Sequence, residues 1–238
     1  WNVKIIDDKF SIKFNQEVKI NIFAEKKEIR IEQVSNAGRA IITGGKIENW
    51  SIFFKGNQKK FNPEILTNYS SLPGCLTFLD IEVSNIKLLS NNSSCEDSIN
   101  FVRVKGNVKS VNILKSISDS FDLDFSDVKI QLIKIKSAGN DCLDLSNGIY
   151  KIININLENC GDKAISIGEK SNVFLKEIKI NQATIGVAAK DSSIVQINKS
   201  EILKSPVCFS AYRKKQEFSG AKIKILETNC KKNQLLFQ

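Results

Sequence analysis

The chain of 238 residues contains no histidine and no methionine, and only three prolines. No run of about 18 apolar residues occurs, which excludes a membrane-spanning helix. Without histidine, and with no two cysteines in CxxC spacing, the usual structural zinc sites are excluded. No segment repeats its apolar residues at a helical period, and neither a glycine-rich phosphate loop nor an aromatic RNA-binding signature is present. Nucleic acid is therefore not the expected partner. The chain begins at Trp1, so a processed or cut N-terminus is expected, which leaves room for a lost export signal. The location that follows is extracellular or the cell surface.

Apolar residues make up 42% of the chain and charged residues 26%, the balance of a globular domain. Thirty-five basic against 26 acidic side chains leave a net charge of +9. Many lysines alternate with isoleucine, as in LIKIKS and KIKIL, and so belong to a solvated sheet face. The surplus also favours a polyanion, here an acidic polysaccharide. Six cysteines (Cys75, Cys95, Cys142, Cys160, Cys208 and Cys230) allow disulfides or buried thiols stacked in a core, and the sequence does not choose.

The stretch from Ser118 to Ser171 states one pattern three times. Asp119, Asp141 and Lys163 follow one another at 22-residue intervals, as do Phe121, Leu143 and Ile165. A fixed period of this length marks a solenoid. Each repeat holds a short alternating strand (FDLDF, LDLS, ISIG), a small polar corner and a longer strand rich in Ile, Val and Asn. The fixed leucine spacing of leucine-rich repeats is absent. The expected fold is all-β: a right-handed, single-stranded parallel β-helix of about 8–10 coils with ~22 residues each. One domain, 1–238, is expected. Residues 1–38 form irregular N-terminal strands that cap it, 56–74 form a long inserted loop, and 76–230 form regular coils, with KKNQLLFQ covering the last one. Ile47–Phe54 matches Ile81–Leu88 at an offset of 34. Asn112, Asn154, Asn156 and Asn198 are candidates for partial polar ladders.

Alternation places Phe121, Leu123 and Phe125 inward and Asp122 and Asp124 outward. Leu143 and Leu145 point in, and Asp144 points out. Two outer columns follow: Asp97, Asp119, Asp141, Lys163 at the corner, and Asn100, Asp122, Asp144, Ser166 along the short strand, with neighbours about 4.8 Å apart. Stacked carboxylates repel unless a raised pKa, hydrogen bonds, a lysine or a cation such as Ca²⁺ offsets the charge. Asp119 and Asp141 double as corner formers. Asp122 and Asp144 stand mid-strand, where Asp is disfavoured, so a functional role is the better explanation. Farther along, Lys163, Lys190, Arg213 and Lys215, with Glu169, Asp191 and Tyr212 beside them, turn the face basic, an arrangement suited to an anionic sugar.

The order SDSFD, NDCLDL, CGDKAISIG, GVAAK resembles the right-handed β-helices of the pectin-lyase-like superfamily, above all the glycoside hydrolases that include polygalacturonases. Their pattern is Asn-Thr-Asp, Asp-Asp-Cys, Gly-His-Gly-Ile-Ser-Ile-Gly and Gly-Val-Arg-Ile-Lys, one motif per coil. On that resemblance Asp119, Asp141, Lys163 and Lys190 take the positions of the terminal Asp, the second acid, the histidine and the closing lysine. Asn140 replaces the first acid and Ala188 the arginine. The resemblance implies glycan hydrolysis by a carboxylic acid and a carboxylate base, about 6.5–9.5 Å apart for inversion. It equally implies the lyase and epimerase route of the same superfamily, in which a lysine abstracts a proton beside a uronate and Ca²⁺ or a cationic side chain neutralises the carboxylate. The candidate catalytic set is Asp119, Asp122, Asp141, Asp144, Lys163 and Lys190. Asp124, Glu169, Asp191, Tyr212, Arg213 and Lys215 are the candidate substrate contacts. A non-catalytic carbohydrate-binding or adhesive module is the alternative.

Overall fold

A computed structural model of the chain describes residues 1–6, 9–57, 73–230 and 235–237. Seven strands come first: β1 (Asn2–Ile6), β2 (Phe10–Phe14), β3 (Val18–Phe23), β4 (Glu28–Gln33), β5 (Ala40–Thr43), β6 (Lys46–Glu48) and β7 (Ser51–Lys55). Short and long strands then alternate: β8 (Gly74–Leu79), β9 (Glu82–Ser93), β10 (Asp97–Val102), β11 (Lys105–Ser116), β12 (Asp119–Asp124), β13 (Asp127–Ala138), β14 (Leu143–Ser146) and β15 (Ile149–Cys160). The last are β16 (Lys163–Gly168), β17 (Asn172–Asn181), β18 (Ile185–Lys190), β19 (Ile194–Leu203), β20 (Val207–Tyr212), β21 (Lys222–Cys230) and β22 (Leu235–Phe237). The short strands stack as one parallel sheet from β5 through β20, and the long strands as a second from β4 through β21. β5 with β6 and β7, followed by seven short–long pairs, makes eight turns of a parallel β-solenoid.

The register carries the 22-residue period directly. Asp97 pairs with Asp119, Asp122 with Asp144 and Leu143 with Ile165. Ile99, Phe121, Leu143, Ile165 and Val187 thus form one buried inner column. Phe78, Phe101 and Phe121 pack with ring centroids 4.8 and 5.1 Å apart. Each such side chain fully removed from water stabilises the coil by about 1.5–3 kcal/mol. The long strands bend: Val128, Ile130, Ile133 and Ile135 all face inward, so the alternation skips a residue at Gln131–Leu132.

From β8 to β20 each corner turns through a residue of positive φ. One column comprises Asp80, Arg103, Phe125, Asn147, Glu169 and Asp191, the other Asn92, Lys115, Ser137, Asn159, Gln182 and Lys204. Phe125, expected inside, therefore lies outside. Its φ of 51° turns the chain after Asp124, and the ring is 57% exposed. The strand alternation ends one residue earlier than its apolar pattern suggests.

Two further expectations shift. Ile47 pairs with Val83 and Ile52 with Leu88, an offset of 36 rather than 34. A two-residue slip leaves the same faces inward, which is why the pattern match hid it. The asparagines do not ladder. Lys134 stands between Asn112 and Asn156, and Asn154 lies between Leu132 and Glu177.

The N-terminal strands close one end. β1 pairs antiparallel with β2, β2 antiparallel with β5, and β3 antiparallel with β4, which runs parallel to β7. These hairpins cover what would otherwise be the open edge of the first turn. Most of the expected inserted loop, 58–72, lies outside the described residues, as do 231–234 and Gln238 of the C-terminal segment. At that end β22 adds to β20.

All six cysteines are oxidised: Cys75–Cys95, Cys142–Cys160 and Cys208–Cys230. Each bond ties the start of a short strand to the end of the following long strand, closing one turn on itself. Chain-entropy arguments give about 3 kcal/mol for a loop of this size. The double substitution Cys142→Ala/Cys160→Ala is expected to lower the stability from urea unfolding by about that amount, with an unchanged denaturant slope. An unshifted midpoint would show that the stacking alone holds this turn.

Candidate functional site

The outer face of the short-strand sheet presents three columns. In the corner column the main chain of each turn is held by the carboxylate beneath it. Asp141 N–H donates to Asp119 Oδ1 and Lys163 N–H donates to Asp141 Oδ1, each at 2.8 Å. Lys163 Nζ stands 3.7 Å from Asp141 Oδ1 and also contacts Asp162 Oδ2. The middle column runs Asn100, Asp122, Asp144, Ser166, Ala188, Ser210. The third runs Val102, Asp124, Ser146, Gly168 and continues through Lys190 to Tyr212. At Gly168 an added Cβ would meet Lys190 Cε at 3.6 Å, so the lysine stem lies across the glycine. Its Nζ then donates to Ser166 Oγ at 2.7 Å.

Five of the candidate acids, Asp119, Asp122, Asp124, Asp141 and Asp144, are gathered on consecutive turns, and Asp97 extends the group. Asn100 Nδ2 donates to Asp122 Oδ2 at 3.2 Å and to Asp124 Oδ2 at 3.4 Å. Asn100 Oδ1, Asp97 Oδ2 and Asp144 Oδ1 are buried with no hydrogen-bond partner among the described residues. Outward direction does not mean full exposure here. Asp122, Asp144 and Lys163 are half-buried and Asp97 and Asn100 are buried, because side chains about 4.8 Å above and below shield them.

Burial and mutual repulsion set the proton affinities. Burial pushes the Asp97 carboxyl well above the usual range, and the Asp119 charge adds to it. Burial does the same for Asp122, reinforced by Asp97, Asp124 and Asp144. Burial lifts Asp119 to about 6, although the Asp141 amide hydrogen bond opposes the rise. Asp124 and Asp141 are also raised by burial, against the Asn100 hydrogen bond in one case and the Lys163 amide and charge in the other. Asp97, Asp119, Asp122, Asp124 and Asp141 therefore retain protons to higher pH than isolated carboxylates do. The cluster offers proton donors beside proton acceptors. For Lys163, burial favours the neutral form, but Asp162 and Asp141 outweigh it and raise its pKa.

The remaining candidates divide. Tyr212 pairs in register with Lys190. Burial works against the charged form of Glu169, yet its hydrogen bonds to Lys215 and Ser146 win and lower its pKa. Its Oε1 lies 2.6 Å from Lys215 Nζ. Arg213 is exposed. Asp191 is fully buried, and its Oδ1 accepts from the main-chain N–H groups of Lys214 and Lys215 at 2.7 and 2.8 Å. It holds the chain behind the face rather than opening onto it. Asp162 went unrecognised in the sequence. The only signal was its place beside Lys163 in CGDK. No group of three or more acidic or cysteine side chains among the described residues converges as a metal ion requires. Within the cluster, Asn100 supplies a neutral donor to Asp122 and Asp124.

Comparison of the chain with family models, with curated proteins and with solved structures returned no match.

The pKa shifts have a stability consequence of definite sign. Asp119 binds its proton more tightly folded than unfolded, where its value is near 3.8. Its ionisation therefore leaves stability untouched below about pH 4 and reduces it progressively as pH rises to about 6. Asp122→Asn, which removes a repelled and half-buried charge, is expected to raise the thermal midpoint at pH 7 and to flatten its decline between pH 4 and 7. A midpoint lowered at pH 7 would mean that the Asp122 carboxylate is stabilised in the fold by a partner outside this cluster.

Proposed function

We propose that the outer face of the short-strand sheet is a glycan-processing site, and that the protein cleaves an acidic polysaccharide by carboxylate acid–base hydrolysis. The observation that carries this reading is the stack of Asp119, Asp122, Asp141 and Asp144 on adjacent turns, with burial raising the pKa of Asp119, Asp122 and Asp141. Glycoside hydrolysis needs one carboxylic acid to protonate the leaving oxygen and one carboxylate to act on water or on the sugar. In this reading Asp122 or Asp119 is the acid, each with a raised pKa, and Asp144, which pairs in register with Asp122 one turn away, takes the second role. The resemblance in motif order to polygalacturonase-type enzymes supports a hydrolytic site on this face, through Asp119 and Asp141 rather than Asp122 and Asp144. Proton abstraction by lysine, the lyase and epimerase route, fits less well. Lys163 is held between two carboxylates that favour its charged form, and a protonated amine is not a base. It serves better as the cation that receives a uronate carboxylate, with Lys190 beyond it.

The three disulfides support secretion to an oxidising location, at the cell surface or outside it. A binding module without turnover is the second reading. It is favoured by the use of Asp119 and Asp141 oxygens on main-chain amides, which is a structural duty.

Incubation with a panel of uronate polymers separates these readings. Hydrolysis releases reducing ends without the ultraviolet absorbance of unsaturated sugars, whereas elimination produces both. Asp144→Asn and Lys163→Ala are expected to keep the parent's circular dichroism. Asp144→Asn should lower turnover by about 10²–10⁴-fold, the range for loss of an acid–base group. Binding without turnover on every polymer would favour the module, and wild-type rates in both variants would remove the site altogether.

A further inference from the structure

The connection from β20 to β21 breaks the economy of the other corners. Two residues join β12 to β13 and three join β18 to β19, but residues 213–221, RKKQEFSGA, separate β20 from β21. In a repeat protein, an insertion confined to one turn marks a loop placed for binding. This one is held firmly. Asp191 receives the main-chain N–H groups of Lys214 and Lys215. Ser219 N–H donates to Ser192 Oγ at 2.8 Å, and Ser192 N–H donates to Ser219 O at 2.9 Å. Lys215 pairs with Glu169, and Lys170 Nζ sits 5.7 Å from the centre of the Phe218 ring.

What this bracing presents to solvent is cationic on balance, with Arg213, Lys214 and Lys215 against Glu217. Arg213 and Lys214 are both exposed, and neither forms an ion pair among the described residues. The loop leaves the sheet at Tyr212, which stands beside Lys190 in the third outer column. Three strand spacings, about 14 Å, separate this position from Asp144. Acid groups thus occupy one end of the face and pinned, unneutralised cations the rim of the other.

We propose that residues 213–221 form an anion-binding exosite that seats sulfate or carboxylate groups of a linear glycan lying along the solenoid axis. The assignment rests on the reading of this face as a glycan site and adds the ligand's charge and direction. The chain is anionic at the segment over β20, away from the carboxylates that would repel it. A braced loop binds without first having to be ordered, so little of the attraction is lost to entropy. Single-stranded nucleic acid fits less well, because base stacking needs a free aromatic face and Lys170 lies over the Phe218 ring.

Calorimetric titration at low salt with heparin and with alginate tests the proposal. The double substitution Arg213→Glu/Lys214→Glu should weaken binding about tenfold. A loss confined to heparin assigns sulfate, and one confined to alginate assigns carboxylate. Lys109→Glu/Lys129→Glu, the same charge change at exposed lysines on β11 and β13, should stay within about twofold of the parent. Equal weakening by both pairs, no binding of either polymer by the parent, or equally tight loop-dependent binding of single-stranded DNA would overturn the exosite. Asp144→Asn keeps the two proposals apart: lost turnover with retained binding leaves the exosite standing, whereas unchanged binding in the loop variant sinks the exosite and leaves the acid cluster untouched.

Discussion

In-register parallel hydrogen bonding between successive turns is the constraint on which everything else rests. It converts a distance of 22 residues along the chain into about 4.8 Å through space. Once the register is set, every repeated position becomes a column, and the chemistry of a column is decided by which residues share a place in the period. Apolar columns supply the core, and positive-φ columns supply the corners. The three outward columns of the short-strand sheet become the candidate site.

Stacking has an electrostatic price at that site. Asp97, Asp119, Asp122, Asp124, Asp141 and Asp144 are brought closer together than free carboxylates tolerate. The fold answers by partial protonation, by the Asn100 amide and by main-chain N–H groups that use one oxygen each of Asp119 and Asp141. A purely structural face would be served as well by serine or asparagine, as Ser166 and Asn100 show within the same column. Asp122 and Asp144 instead keep carboxylates in mid-strand, and the proposed glycan site is centred on them for that reason.

The same geometry separates roles that look alike in one dimension. Asp144 lies within a short strand after Leu143, and Asp191 comes just after another, behind Lys190. Asp144 faces outward in the middle column, while Asp191 sits one position past the strand end, at a positive-φ corner, and turns inward to hold the 213–221 loop. Lys163 and Lys190 both end up on the site face, but Lys163 is clasped by Asp141 and Asp162, whereas Lys190 lies across Gly168 to reach a serine. Such differences arise from where each residue stands along the short strand: the register equivalent of Asp144 in β18 is Ala188 and that of Lys163 is Ile185.

Period, strand alternation and absence of helical pattern were enough to read the solenoid, its coil length, the two acidic columns and their basic continuation directly from the amino-acid order, because stacking is a periodic operation and periodicity is visible in one dimension. The corner at Phe125, the two-residue slip between β7 and β9, the pairing of the six cysteines and the burial of Asp191 were not legible there. Each depends on where the chain turns and on what lies beside it after turning. A period-2 pattern is blind to a slip of two, and a cysteine's position does not reveal which other cysteine approaches it. Those choices are made by side chains meeting across neighbouring turns, and only the folded arrangement brings them together.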